Sequence, residues 1–410
     1  MRKDNASTLD HEDRWSGLLN LALQGLHATY GRGEKRLPHT MMWDGTDAEP
    51  VGSNVRYALI SLLGLGQSQA LDLDNSDLIA DLWSRVAANR RAIENSAGDL
   101  GLALWAQALT GNRDLFSMSQ SLQVFREHRD SLDSVNLAWV MLGADHTLIN
   151  KTDVAAEELV QLAREDLLEL YNPASKLFYR HAKKGPFASV SRQVPCFANQ
   201  IYPVTALAVH ARRTGSAEAA RVGRAVADNL CSLQGPLGQW WWLYDASGGA
   251  VVDGYPVFSV HQDGMAPMAL LEATRAGGRS YQGEIERGLS WIFGGNELET
   301  NLILADQGLV LRDIHKKGVG RVRRAMRSAA WCWGFRGEGR RVHEPDDFTV
   351  NRECRPYHLG WILYAASLMS ATRSKQGTLF SIVCHAMFIS LSSAECIQAA
   401  ISEFGNFFHG

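Results

Sequence analysis

Apolar residues recur at i, i+3 and i+4 along most of this chain, and that spacing predicts about twelve helices. They fall at 14–30, 53–66, 76–92, 98–110, 114–127, 133–146, 153–171, 197–213, 216–233, 260–274, 280–293 and 355–370. Many segments run out at glycine (LLGLG, ALTG, MLG, ARRTG, ATRAGG), the residue that lets a chain turn through a left-handed conformation. The even-numbered segments open on polar or aromatic residues and then turn small and apolar, as in SNVRYALISLLGL, GDLGLALWAQAL and FANQIYPVTALAVH. Several odd-numbered ones keep a charged face, as in DLIADLWSRVAANRR and DVAAEELVQLAREDLLELY. A helix apolar nearly all round belongs inside, and an amphipathic one belongs outside. The alternation predicts an all-α fold, an (α/α)6 toroid of about six helical hairpins in one domain over 14–370. An open stack of hairpins is the alternative. Residues 295–352 break the pattern and form a long insertion before the last inner helix, with strand-like pieces such as GLVLRDI. From 371 to 410 the chain reads as a tail of uncertain order.

Composition narrows the classes. The 410 residues are 46% hydrophobic and 21% charged, enough for a large core. A net charge of −3 excludes a globally basic nucleic-acid binder. The start of the chain is polar, and the apolar run Leu379–Leu391 is too short for a bilayer, so no membrane span is expected. Six scattered cysteines (Cys196, Cys231, Cys332, Cys354, Cys384, Cys396) read as reduced thiols and a cytoplasmic setting. No Walker loop, dinucleotide glycine motif or HExxH occurs, and no cofactor is expected.

The most informative stretch runs from Leu233 to Leu270. It carries Trp240, Trp241, Trp242 and Tyr244, then a glycine-rich turn, then His261, Gln262 and Asp263 at the mouth of an apolar helix. Three successive tryptophans cannot all face one core, so at least one is expected to line a cavity. Flat aromatic faces beside a carboxylate and an imidazole suit a sugar ring or an isoprenoid. With its hairpin count, its inner and outer alternation and its aromatic-plus-carboxylate loops, the chain resembles the six-hairpin glycosidase-like superfamily over roughly 14–370. That superfamily includes glycoside hydrolases, unsaturated-uronide hydrolases, sugar epimerases and relatives of the glucuronyl C5-epimerases. A second resemblance is to squalene-cyclase-like toroids, through one copy of Q-x-x-x-G-x-W at Gln234, Gly238 and Trp240. There the motif ties neighbouring hairpins together. The acid motif D-x-D-D of those cyclases is missing, and Asp72, Asp74 and Asn75, the nearest match, are read as a helix cap.

In a toroid the loops entering the inner helices converge at one end of the cavity. That gathers Asp47, Glu49, Arg56, Tyr57, Asp99, Asn136, Asn199, Gln200, Tyr202, Trp240, Trp241, Trp242, Tyr244, His261, Asp263, Glu353, Arg355, Tyr357 and His358. Paired carboxylates across an apolar cavity can divide acid and base work. Asp263 beside His261 is the first candidate, and Glu353 and Asp99 follow, with helix capping the plain alternative for Asp263 and Asp99. Arg56 and Arg355 each precede a tyrosine and can fork a substrate carboxylate or phosphate, or pair with Glu49 and Glu353. The basic run Arg312, Lys316, Lys317, Arg321, Arg323, Arg324 and Arg327 either draws an anionic substrate or is solvated surface. Cys354 and His358 stand at i, i+4 and could with Cys332 and Asp263 bind a metal, but a buried thiol and a hydrogen-bonded histidine are the simpler account. The function expected is a carbohydrate-active enzyme acting on a sugar or a uronic-acid-containing saccharide, by glycosidic cleavage, elimination or epimerisation with carboxylate acid/base catalysis, and an anionic substrate falls within that expectation. Its alternatives are an isoprenoid cyclase and a non-catalytic carbohydrate-binding toroid.

Overall fold

A computed structural model describes residues 11–31, 37–112, 115–183, 185–334 and 344–371. Apart from its first residue, the expected tail lies outside the described residues. Six hairpins build the molecule. Their outer helices are α1 (His11–Tyr30), α3 (Ser76–Ala88), α6 (Met118–His128), α8 (Val154–Glu169), α11 (Ala217–Ser232) and α13 (Gln282–Ile292). The inner partners are α2 (Val55–Ser68), α5 (Ala97–Thr110), α7 (Ser134–Asn150), α10 (Ala198–Thr214), α12 (Ala266–Arg275) and α15 (356–371). Three more helices, α4 (Arg91–Glu94), α9 (Pro186–Gln193) and α14 (Arg321–Cys332), lie in connections. The arrangement is an (α/α)6 toroid. All described strand pairings are antiparallel and short.

Local chemistry starts and stops the helices. Ser96, Asp133, Asp153 and Ser216 accept hydrogen bonds from backbone N–H groups two or three residues on, satisfying first-turn donors. Gly111 and Gly215 end α5 and α10 at φ +73° and +74°. Gly64 and Gly143, expected as stops, instead lie inside α2 and α7. They are crossing points: a Cβ on Gly64 would stand 2.3 Å from the Gly360 carbonyl oxygen, and one on Gly143 2.4 Å from that of Gly101. Inner helices can touch backbone to backbone only where no side chain intervenes. The Gly64–Gly360 contact brings the first and last inner helices together, so the ring is closed and the open stack is excluded. Strand Thr40–Trp43 reinforces the closure by pairing with Glu353–Cys354.

The Gln234 motif has the structural role that its resemblance implies. Its amide donates to the carbonyl of Glu284 on α13 at 2.9 Å, and Arg287 donates back to it at 2.8 Å. Asp74, not Asn75, serves the start of α3, accepting from the Ser76 N–H at 3.1 Å.

At the opposite end from the inner-helix N-termini, His146 is buried against Trp105. Burial lowers its pKa from 6.5 to about 4. The unfolded chain takes up this proton near pH 6.5, whereas the folded one refuses it until about 4, so stability falls as pH drops through that window. The loss reaches roughly 3 kcal/mol at the lower end. Melting temperatures from pH 7 to 4 should fall less steeply in His146→Phe than in the wild type. Parallel curves would remove this assignment.

Candidate functional site

The N-terminal ends of the inner helices meet at one mouth, and its centre is an ion pair across the first two of them. Arg56, in the first turn of α2, donates through Nε to Asp99 Oδ1 at 2.5 Å and through Nη2 to Oδ2 at 2.9 Å. The hydrogen bond to Asp99 raises the Arg56 pKa further, so the guanidinium stays charged. Its plane lies 5.5 Å above the ring of Trp139, and Trp139 meets the edge of Tyr202 at 5.3 Å. Asn136 presses on the backbone beside Asp99, because its Oδ1 occupies the space a Cβ on Gly98 would need. The Arg56 side chain is 44% exposed and that of Asp99 11%, so both can reach a ligand. Asp99 is therefore more than a helix cap, since Ser96 does the capping.

A second cluster joins α2 to α15. Glu353 does not open α15 but lies in the strand before it, where Arg355 donates to its Oε2 at 2.6 Å and Arg312 to the same oxygen. Burial alone would raise the Glu353 pKa, but the Arg355 hydrogen bond and the two guanidinium charges outweigh it and hold the group below its ordinary value. Glu353 is thus a fixed anion between two cations, a poor proton donor. Arg355 also contacts the His39 ring. Tyr57 stacks on His39 with centroids 5.2 Å apart and tilts onto Tyr357 at 4.5 Å. Burial raises the pKa of Tyr357 and of Tyr202, so both phenols keep their protons.

Asp263 occupies neither of the positions expected for it. It sits inside a π-helical turn, His261–Met265, that leads into α12, so it caps nothing. It has no solvent exposure, and its Oδ1 stands 2.6 Å from His358 Nε2. Burial raises its pKa against the opposing pull of His358. A group sealed in this way meets a ligand only through His358, itself 3% exposed. His261 is also buried, with its pKa lowered to about 3 by desolvation, so the ring is neutral. Asp263→Ala should cost about 2 kcal/mol by leaving His358 Nε2 unpaired, whereas Asp263→Asn keeps an acceptor there and should cost much less. Turnover of Asp263→Asn should stay within ~10-fold of wild type, against the ~100-fold or more expected of a direct acid or base. A larger loss would return Asp263 to the reaction centre.

The three tryptophans divide as their geometry requires. Trp240 is core, 1% exposed and packed on Phe197. Trp241 is wedged against Tyr255 and donates to the Leu233 carbonyl at 2.8 Å, which makes it structural rather than a platform. Trp242 is partly exposed and lies with Phe258 around His261. Tyr244 is buried. Asn199 and Gln200, expected on the substrate, are consumed by the scaffold: Asn199 bonds Ser134 Oγ and the Cys196 N–H, and Gln200 bonds both backbone groups of Phe178. Cys354 lies on a strand, and burial pushes its thiol up to about 12, far from a ligating thiolate. Among the described residues no group of three or more His, Cys, Asp or Glu side chains could hold a metal ion. Of the basic run, Arg312 pairs with Glu353, Lys316 lies over Tyr255, and Arg327 pairs with Asp253.

Trp139 and His39 were not singled out from the sequence. Trp139 could have been: it falls one helical turn after Asn136 on an inner helix. His39 carried no such signal, because only the strand pairing brings it to Arg355.

No family model matches the chain, and no curated protein matches its sequence. Solved structures do match its fold. An unsaturated glucuronyl hydrolase from Streptococcus agalactiae superposes with a TM-score of 0.55 at 10% identity, covering 87% of this chain and 91% of that one. A possible member of the GH105 family from Klebsiella pneumoniae gives 0.54 at 12%, over 90% and 96%. A polysaccharide lyase gives 0.50 at 14%, over 88% and 98%. The fold is thus the (α/α)6 toroid that these solved structures share.

Proposed function

We propose that the protein is a carbohydrate-active enzyme that cleaves the glycosidic bond of a uronic-acid-containing saccharide, by hydrolysis or elimination, at the Arg56–Asp99 centre. The observation that carries this reading is a partly exposed guanidinium, held by Asp99 above an indole, at the mouth of a toroid shared with glucuronyl hydrolases. Asp99 engages Nε and Nη2 of Arg56, and the remaining Nη1 suits a substrate carboxylate. Asp99 then stands beside the sugar as base or nucleophile. Tyr57, Tyr357 and Trp139 supply the flat walls that a sugar ring packs against. Tyr202 and Tyr357, kept protonated, supply hydrogen-bond donors.

Polar lining separates this reading from the isoprenoid cyclase, which needs an apolar pocket around one deep acid. Asp133, Asn136, Arg180 and His181 surround a cavity at the same mouth. The carboxylate of Asp99, held at the mouth beside Arg56, likewise favours it over a binding-only toroid. Four described cysteines, all free, fit a cytoplasmic setting.

One assay tests the reaction. Ultraviolet absorbance is followed while uronic-acid oligosaccharides, saturated and 4,5-unsaturated, are offered separately. Hydrolysis of an unsaturated uronide removes the conjugated alkene and lowers absorbance, and elimination from a saturated one raises it. Epimerisation changes neither and shows as solvent deuterium at C5. Hydrolysis of a saturated oligosaccharide shows as new reducing ends, and absence of all four signals across neutral, carboxylated and sulfated oligosaccharides would overturn the proposal.

A further inference from the structure

We propose that the pocket at the head of α7 is a second subsite, receiving the anionic substituent, carboxylate or sulfate ester, of the sugar unit next to the one at Arg56 and Asp99. This rests on the saccharide reading above and extends it to the substrate class: an oligosaccharide acidic on two successive units.

The pocket, about 370 Å³, is built where the segment after α8 folds back on α7. The Ser134 N–H donates to the Arg180 carbonyl at 2.8 Å, and the Arg180 N–H to that of Arg192 at 3.0 Å. These bonds fix Ser131, Asp133, Asn136, Arg180, His181, Lys183 and Ser191 around one space. Asn136 belongs to both sites, since its other face lies against Gly98 beside Asp99. The two are therefore contiguous, as neighbouring units of one chain require.

The charge balance of the pocket is positive. Its only carboxylate, Asp133, accepts from the Asn136 backbone N–H at 3.0 Å and the Asn136 amide at 2.7 Å. Arg180 reaches that carboxylate no closer than 3.7 Å, and its side chain is 48% exposed. Lys183 is exposed and has no carboxylate within 4.0 Å among the described residues. Two guanidinium or ammonium groups thus face one carboxylate already engaged elsewhere, in a chain whose net charge is −3.

His181 adds the second element. Ser191 Oγ lies 2.9 Å from His181 Nε2 and 3.1 Å from the Ala188 carbonyl oxygen, which holds the ring in place. Its Nδ1 is a buried polar atom with no hydrogen-bond partner among the described residues. Burial first, then the charges of Arg180 and Lys183, lower the His181 pKa and keep the ring neutral. A pocket lined by two cations together with serine, asparagine and histidine side chains fits a sugar that carries both a hydroxyl and an anion. It does not fit an apolar chain.

The test compares wild type with Arg180→Ser/Lys183→Ser, whose changed side chains leave the backbone bonds in place. Binding is measured by calorimetry at low salt with three uronyl disaccharides: second sugar neutral, carboxylated, or sulfated. The double variant should lose at least ~10-fold in affinity for one or both acidic disaccharides, with a flatter salt dependence, and keep its affinity for the neutral one. Whichever acidic disaccharide is affected identifies the group. Equal affinities for all three in both proteins overturn the subsite. If wild type binds none of them, the saccharide reading fails instead, and inorganic sulfate decides the pocket separately. Thermal protection by sulfate that disappears in the double variant upholds an anion site, and protection absent from wild type or unchanged by the substitutions overturns it.

Discussion

Asparagine at position 99 should leave the toroid folded and lower turnover at least ~100-fold, the lower range for removal of a general acid or base. The substitution is nearly isosteric, and the helix start does not depend on it, because Ser96 accepts from the backbone N–H of residue 99 at 3.3 Å. What changes is the chemistry. An amide is neither a base nor a nucleophile, and its NH2 faces a guanidinium that can only donate. Arg56 is thereby released from one partner and becomes more available to a substrate carboxylate. The kinetic signature is accordingly split: kcat falls steeply while KM is unchanged or lower. Arg56→Gln should do the reverse, raising KM for a uronide more than it lowers kcat. Steady-state kinetics of both variants on the substrate identified by the absorbance assay check this. An Asp99→Asn enzyme with full activity would move the reaction to another carboxylate at the mouth, Glu353 first.

Alanine at position 360 should destabilise the protein by about 3 kcal/mol, the upper part of the range for forcing a methyl group into a packed contact. The added Cβ would lie 2.5 Å from the Ile60 carbonyl oxygen and 2.9 Å from the Ser61 Cα. Both are backbone atoms, so relief requires α2 and α15 to separate where the ring closes. Gly283→Ala is the control. It lies on outer helix α13, where the nearest atom to a new Cβ is the end of the Arg287 side chain at 3.9 Å. There the better helix propensity of alanine should stabilise by up to ~1 kcal/mol. Urea midpoints at constant slope measure both effects. A Gly360→Ala protein with the wild-type midpoint would mean that the helices do not approach so closely.

The hairpins were legible in the sequence because burial leaves a periodic trace. Inner helices such as α5 and α10 are buried on almost every side, and their run of small apolar residues says so directly. Glycine was legible as punctuation but ambiguous in meaning: Gly111 stops a helix, whereas Gly64 and Gly143 permit a crossing. Only the partner helix distinguishes the two. The same limit applies to the site. The sequence put Arg56, Asp99 and Glu353 at one mouth, but periodicity does not say that Arg56 spans to Asp99 rather than Glu49. Nor does it say that Gln200 is used up by Phe178. Asp263 shows the same limit. A polar triplet before an apolar helix suits a catalytic carboxylate or a cap, and the π-helical turn that draws it inward leaves no periodic mark. Helices α9 and α14 went unseen because each lies in a connection, outside the alternation of inner and outer helices.

The strand pairing between Thr40–Trp43 and Glu353–Cys354 has a bearing on how the chain would acquire the activity proposed above. An open stack of hairpins can grow and function piecemeal, one unit on the next. Here the first inner helix waits beside a gap until the last has been synthesised, and during that interval its apolar flank has no neighbour. The contacts that seal the gap span nearly the whole sequence, the kind of pairing that forms late and slowly. His39 and Arg355 meet across that same seam, so the mouth is completed in the step that shuts the ring. Onset of enzymatic activity during refolding would therefore time the final event, lagging the recovery of helical signal, and would report on circularisation without any probe being attached.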